Sequence, residues 1–93
     1  MKVQIKPALV VEDYEGSVFY LSPSDALTIT TLLALQPPRD CTWESGQATI
    51  KLANTYRGYL YVIDTLTVRD LWVHPKDAPD LMSACQNFIS ETP

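Results

Sequence analysis

Ninety-three residues suffice for one hydrophobic core and leave no room for a second, so the chain reads as a single domain over 1–93. With 46% apolar and 19% charged residues, the composition excludes a disordered chain, which needs lower hydrophobicity and higher charge. Eleven acids against seven bases give a net charge of −4, and Lys2, Lys6, Arg39, Lys51, Arg57, Arg69 and Lys76 are scattered singly. A nucleic-acid binder gathers such residues on one face, so direct nucleic-acid binding is not expected.

A domain this small buries only somewhat more than ~60% of its extended-chain surface, so its stability is modest unless a partner adds to it. No apolar run approaches the ~20 residues that span a bilayer, and no membrane association is expected. The first seven residues, MetLysValGlnIleLysPro, alternate like a strand rather than a signal peptide, which points to the cytoplasm. Cys41 and Cys85 are far apart and form no CxxC pair, so both are expected as reduced thiols, Cys85 in the core.

In chain order, Val3 and Ile5 alternate with polar residues as a half-buried strand that Pro7 interrupts, either at a bend or at a sheet edge. AlaLeuValVal (8–11) resumes the β pattern, and residues 12–16 form a turn in which Gly16 can take positive φ. Residues 17–21 return as the second arm of a hairpin. SerProSerAsp (22–25) then starts a helix, with Ser22 as N-cap, Pro23 at the first helical position and Asp25 completing a capping box. Ala26, Ile29 and Leu33, with Leu32 beside them, mark its apolar face. ProPro (37–38) stops it after Leu35 or Gln36.

Two β segments flank Ser45–Gly46 as a second hairpin, and a turn at 54–58 leads into the longest β-prone run, Tyr59 to Ile63. Tyr59, Tyr61 and Ile63 share one face of that strand, and Leu60 and Val62 the other. Leu66 and Val68 have the opposite parity to Leu71 and Val73. A β-bulge at Arg69–Asp70 would return all four to the core, and is preferred. Alternatively both faces are covered, with Trp72 on the second. Asp64–Thr65 is either a tight turn or a bend. Asp77 is expected to cap a last helix, with Leu81, Ala84, Cys85 and Phe88 on its buried face.

These elements give the order ββαβββ(β)α. The expected fold is α+β, a mostly antiparallel sheet of five or six strands with two helices packed on one face.

Few constellations carry chemistry. His74 is the only histidine, which excludes a histidine-based metal cluster, and no P-loop, GxGxxG, EF-hand, HExxH or zinc spacing occurs. No cofactor or metal is expected. The densest acidic group is Glu12, Asp13 and Glu15 around Tyr14, which reads as a solvated loop or as a contact for a basic groove. Tyr56, Arg57, Tyr59, Tyr61, Arg69 and Trp72 have the composition of a binding hot spot, if the tyrosines point outward from an open sheet.

The passage ValHisPro (73–75), between a strand with a suspected bulge and an amphipathic helix, resembles the core strand-to-helix passage of GNAT acetyltransferases. Over these twenty or so residues the resemblance implies a coenzyme A pyrophosphate site at the helix start. That family builds the site from an Arg/Gln-Gly-x-Gly loop. Ala78, Pro79, Asp80 and Leu81 supply neither glycine nor arginine, so the likeness extends to geometry alone.

The expected function is therefore that of a small acidic, non-enzymatic protein-interaction domain. It would bind a protein partner or a second copy of itself through an aromatic sheet face, as an inhibitor or adaptor in the manner of phage or mobile-element regulators. The alternative is a small-ligand-binding or degenerate acetyltransferase-like domain with His74 near its site.

Overall fold

A computed structural model describes residues 2–5, 8–35, 42–45 and 48–91. Three strands open the chain, β1 (Lys2–Ile5), β2 (Leu9–Glu12) and β3 (Val18–Leu21), followed by helix α1 (Pro23–Ala34). Four more follow, β4 (Thr42–Ser45), β5 (Ala48–Thr55), β6 (Gly58–Asp64) and β7 (Leu71–Val73). A 3-10 turn (Pro75–Asp77) then runs directly into helix α2 (Ala78–Glu91).

The class is α+β, as the periodicities predict, but the strands form two antiparallel sheets rather than one. These are ordered β1-β2-β3 and β4-β5-β6-β7. The strand count before α1 also differs. Ile5 pairs with Leu9, so the chain reverses between them and the first β run is two strands of a meander. Pro7, read as a bend or edge marker, lies outside the described residues, as do ProPro 37–38, Cys41 and the turn at Gly46.

One core joins both sheets and both helices. Strand alternation sends Leu9, Val11 and Leu21 from the first sheet, and Ile50, Ile63, Leu71 and Val73 from the second, against Ala26, Ile29, Leu32 and Leu33 of α1. Leu81, Cys85 and Phe88 of α2 close it, with Ala84 partly buried beside them. The α1 capping box forms as the sequence dictates: Asp25 N–H donates to Ser22 Oγ (3.1 Å), and Ser22 N–H to Asp25 Oδ2 (3.2 Å). Thr28, Thr30 and Thr31 donate their hydroxyls to the carbonyls of Ser24, Ala26 and Leu27, one turn back, so the helix draws its stability from packing.

No bulge resolves the parity conflict after β6. The chain leaves the sheet at Thr65 and rejoins it at Leu71, and the loop absorbs the phase change. Thr65 Oγ1 accepts the Val68 N–H (3.0 Å), and Asp64 Oδ1 accepts the Asp70 N–H (2.8 Å). Asp70 takes φ +53°, the left-handed conformation that aspartate tolerates better than most residues. Val68, Leu71 and Val73 reach the core, but Leu66 is 70% exposed. The competing expectation holds on the second face. Leu60 and Val62 are only 1% and 4% exposed there, and Trp72 sits opposite Val62, half-buried.

The two sheets are tied by side chains. Asp13 is 5% exposed; its Oδ1 accepts the Glu15 and Ser17 N–H groups (2.9 and 3.0 Å), and its Oδ2 accepts the Trp72 N–H at 3.3 Å. The loop after β6 is in turn tied to α1 by the hydrogen bond from the Thr67 hydroxyl to Asp25.

Truncating Asp13 leaves three backbone donors without their acceptor, one of them on the other sheet. Asp13→Ala is expected to cost about 3 kcal/mol in urea unfolding, and Asp13→Asn, which retains one carbonyl oxygen, roughly half of that. A change within ~0.5 kcal/mol for the alanine variant would contradict the role assigned to this carboxylate. Cys85 is a free thiol, fully buried and pushed up to about 11 by burial, with a hydrogen bond to Thr30 opposing the shift. In peptide-resolved alkylation near neutral pH, Cys85 should stay unlabelled in the native protein and label on unfolding.

Candidate interaction surface

Two tight turns meet at one end of the molecule. The first is the β2–β3 turn, shaped by Asp13 accepting from Glu15 and Ser17 and by Gly16 at φ +81°. The second is the β5–β6 turn at Tyr56–Arg57, closed by Gly58 at φ +99° and by Thr55, whose Oγ1 accepts the Arg57 N–H (3.1 Å). Arg57 joins them: its guanidinium donates to the Tyr14 carbonyl and lies 3.9 Å from the Glu15 carboxylate. The same guanidinium stands 5.2 Å from the centroid of the Tyr56 ring, within cation–π range. Tyr56 is 87% exposed.

The 3-10 turn before α2 completes the cluster. Tyr14 donates its hydroxyl to Asp77 Oδ2, and its ring packs against His74 with centroids 6.0 Å apart. His74 Nδ1 accepts the Lys76 N–H at 3.2 Å, so the histidine caps this turn. Asp77, expected as a helix cap, is instead engaged by Tyr14. Its hydrogen bond, then burial and the nearby Asp77 charge, hold the Tyr14 hydroxyl above the usual tyrosine range.

Of the residues singled out in the sequence, Tyr14, Glu15, Tyr56 and Arg57 therefore come together, and Trp72 joins them through Asp13. Asp13 belongs to the scaffold rather than to a solvated acidic loop. Glu12 ends β2 opposite Lys2 and Val18, on the face turned away from the core. Arg69 is exposed in the loop at the far end of β6, about 20 Å from Tyr56 by strand length. Tyr59 and Tyr61 do not point outward from an open sheet. They share parity with core residue Ile63, both are half-buried, and Tyr61 packs against the core. Trp43 pairs opposite Ile50 in register, but its side chain lies outside the described residues.

His74 and Asp77 are the members that sequence reading did not assign to this surface. Nothing local links residue 14 to residues 74–77, and only the sheet-to-sheet tie brings them together. A cleft of about 410 Å³ was also not foreseen. It lies at the other end of the sheet seam, lined by Ser22, Ser24, Asp25, Thr65, Leu66 and Thr67 among others. Among the described residues, no three His, Cys, Asp or Glu side chains stand together as metal ligands, and no helix is long and apolar enough to cross a membrane.

Comparison with protein-family models, with curated proteins and with solved structures finds no match for this chain.

Tyr14 supplies a pH test. Its raised hydroxyl means the folded state holds this proton more tightly than the unfolded chain does. The contribution to stability is complete below about pH 10, the unfolded tyrosine value, and is lost as pH rises through the Tyr14 titration. Tyr14→Phe should therefore flatten the alkaline loss of urea stability relative to wild type. An identical alkaline decline in both proteins would remove the Tyr14–Asp77 bond from the account.

Proposed function

We propose that this chain is a small, acidic, non-catalytic protein-interaction domain, with the contact surface at the joined β2–β3 and β5–β6 turns. The observation that carries the reading is Tyr56, 87% exposed, with Arg57 against its ring and Tyr14 and Glu15 held beside it. Tyrosine and arginine are the types enriched where binding energy concentrates. Here the two stand at one spot, the Arg57 guanidinium 5.2 Å from the centroid of the exposed Tyr56 ring. The role is that of an inhibitor or adaptor that presents this end to a protein partner or to a second copy of itself.

The surface differs from an aromatic sheet face, since Tyr59 and Tyr61 sit on the core side. The enzyme reading through His74 has less support. Its Nδ1 is used on the Lys76 N–H, its ring faces Tyr14, and Cys85 is committed to the core.

The test is light scattering across a dilution series, paired with affinity capture, for wild type, Tyr56→Ala/Arg57→Ala, and Gln86→Ala on the exposed side of α2. The double variant should weaken association by at least ~2 kcal/mol, roughly thirtyfold in Kd, with the Gln86 variant unchanged. A folded double variant that retains every association of the wild type would reject this surface.

A further inference from the structure

We infer that β3 is the docking edge for a second copy of this chain, the two β3 strands pairing antiparallel about a two-fold axis at Phe19. The second copy is thereby assigned to the first sheet, and the Tyr56–Arg57 surface of the interaction reading is left to a different protein. The backbone groups that β3 leaves open carry this assignment. Strand β3 is the outer strand of the sheet β1-β2-β3, and among the described residues no strand pairs with its far side. The Asp13 N–H donates to the Ser17 carbonyl at 3.0 Å, which sets the phase of the ladder. Counting from that pair, Val11–Phe19 and Leu9–Leu21 exchange hydrogen bonds, and Glu12–Val18 and Val10–Tyr20 do not. The N–H and C=O groups of Val18 and Tyr20 therefore point away from β2. Their side chains are 49% and 71% exposed, on the face turned from the core.

The other sheet edges are blunted, and β3 is not. Strand β1 carries the exposed Lys2, β4 carries Glu44, and on β7 the Trp72 N–H is taken by Asp13. Charges and occupied donors of this kind keep an edge from pairing with another chain. Strand β3 reads ValPheTyrLeu, without charge or proline, and its register with β2 runs unbroken. On a chain of net charge −4, this uncharged edge is where a second copy approaches with least repulsion. Its sequence also complements itself. An antiparallel pair centred on Phe19 sets Val18 of each copy opposite Tyr20 of the other, and these are the residues whose bonding groups point outward. Each such pair exchanges both of its N–H···O bonds. The same register places a β-branched residue against an aromatic one, twice, on the outer face. On the inner face the two Phe19 rings, each partly buried against its own core, meet at the axis. Edges of 4 residues bury less than the ~1,200 Å² of a stable interface, so the pair is weak, with Kd between about 10 µM and 1 mM.

Sedimentation equilibrium from about 5 µM to 1 mM tests the pairing, together with amide exchange at the two ends of that range. Wild type should dimerise, and the Val18 and Tyr20 amides should exchange more slowly at the concentrated end. Val18→Lys/Tyr20→Lys sets like charges opposite one another at both cross-strand pairs and should weaken the dimer at least about tenfold. Val18→Lys/Tyr20→Glu sets opposite charges there and should bind at least about fivefold tighter than the double-lysine variant. Tyr56→Ala/Arg57→Ala should dimerise like wild type. A wild-type chain that stays monomeric throughout, or whose Val18 and Tyr20 amides ignore concentration, would overturn the inference without a variant. Equal weakening in both charged variants would reject the register centred on Phe19. A dimer lost only in Tyr56→Ala/Arg57→Ala would place self-association on the turn surface, overturning this edge and leaving the interaction reading in place.

Discussion

The buried carboxylate of Asp13 is the interaction on which the rest of the arrangement depends. A carboxylate removed from water is costly unless its lone pairs are used, and here three backbone donors use them. Two of these lie in its own turn and one on β7. The same group therefore shapes the β2–β3 turn and fixes where that turn sits on the second sheet. Without the Trp72 contact the outer edge of β7 would present an open N–H, and Tyr14 would have no reason to reach the 3-10 turn. The candidate surface is a consequence of this placement.

Much of the local structure was legible because it is governed by near neighbours. The α1 capping box, the buried faces of both helices, the positive φ of Gly16 and the alternation along β6 all follow from spacing within a few residues. The strand count failed at Ile5–Leu9 for a different reason. A proline between two β runs marks an interruption, yet a bend, an edge and a full reversal leave the same residues behind. Only pairing partners separate them, and pairing is a tertiary fact.

The parity conflict between Leu66–Val68 and Leu71–Val73 was a sound signal with the wrong remedy. A bulge absorbs one residue and keeps the strand going; the chain instead leaves the sheet for six residues and sacrifices Leu66 to solvent. Asp64, Thr65 and Asp70 make that loop workable through side-chain acceptors and one left-handed residue. Asp64–Thr65 could be read as turn-prone, but Asp70 drew notice only as half of a bulge. The tyrosines of β6 were misplaced for a related reason. Period two says which residues share a face and is silent on which face the helices cover. Likewise Asp13 and Glu15 look alike in sequence, although one is scaffold and the other is surface, because burial is decided by what β7 brings against them.

The contacts that hold this end together differ in kind, and that difference has consequences for what the surface can do. The Asp13 bonds are part-buried, and all three join a 5%-exposed carboxylate to backbone N–H groups. The Arg57–Glu15 pair and the Arg57–Tyr56 contact are exposed, and such interactions contribute little and yield readily to competitors. A partner offering an acidic group or an aromatic ring can take over Arg57 at small cost while the seam beneath keeps its geometry. The Tyr14–Asp77–His74 group lies between these extremes, half-buried and joined by one hydrogen bond and one ring contact. The base is therefore held by a three-bonded carboxylate, and the rim above it is exchangeable.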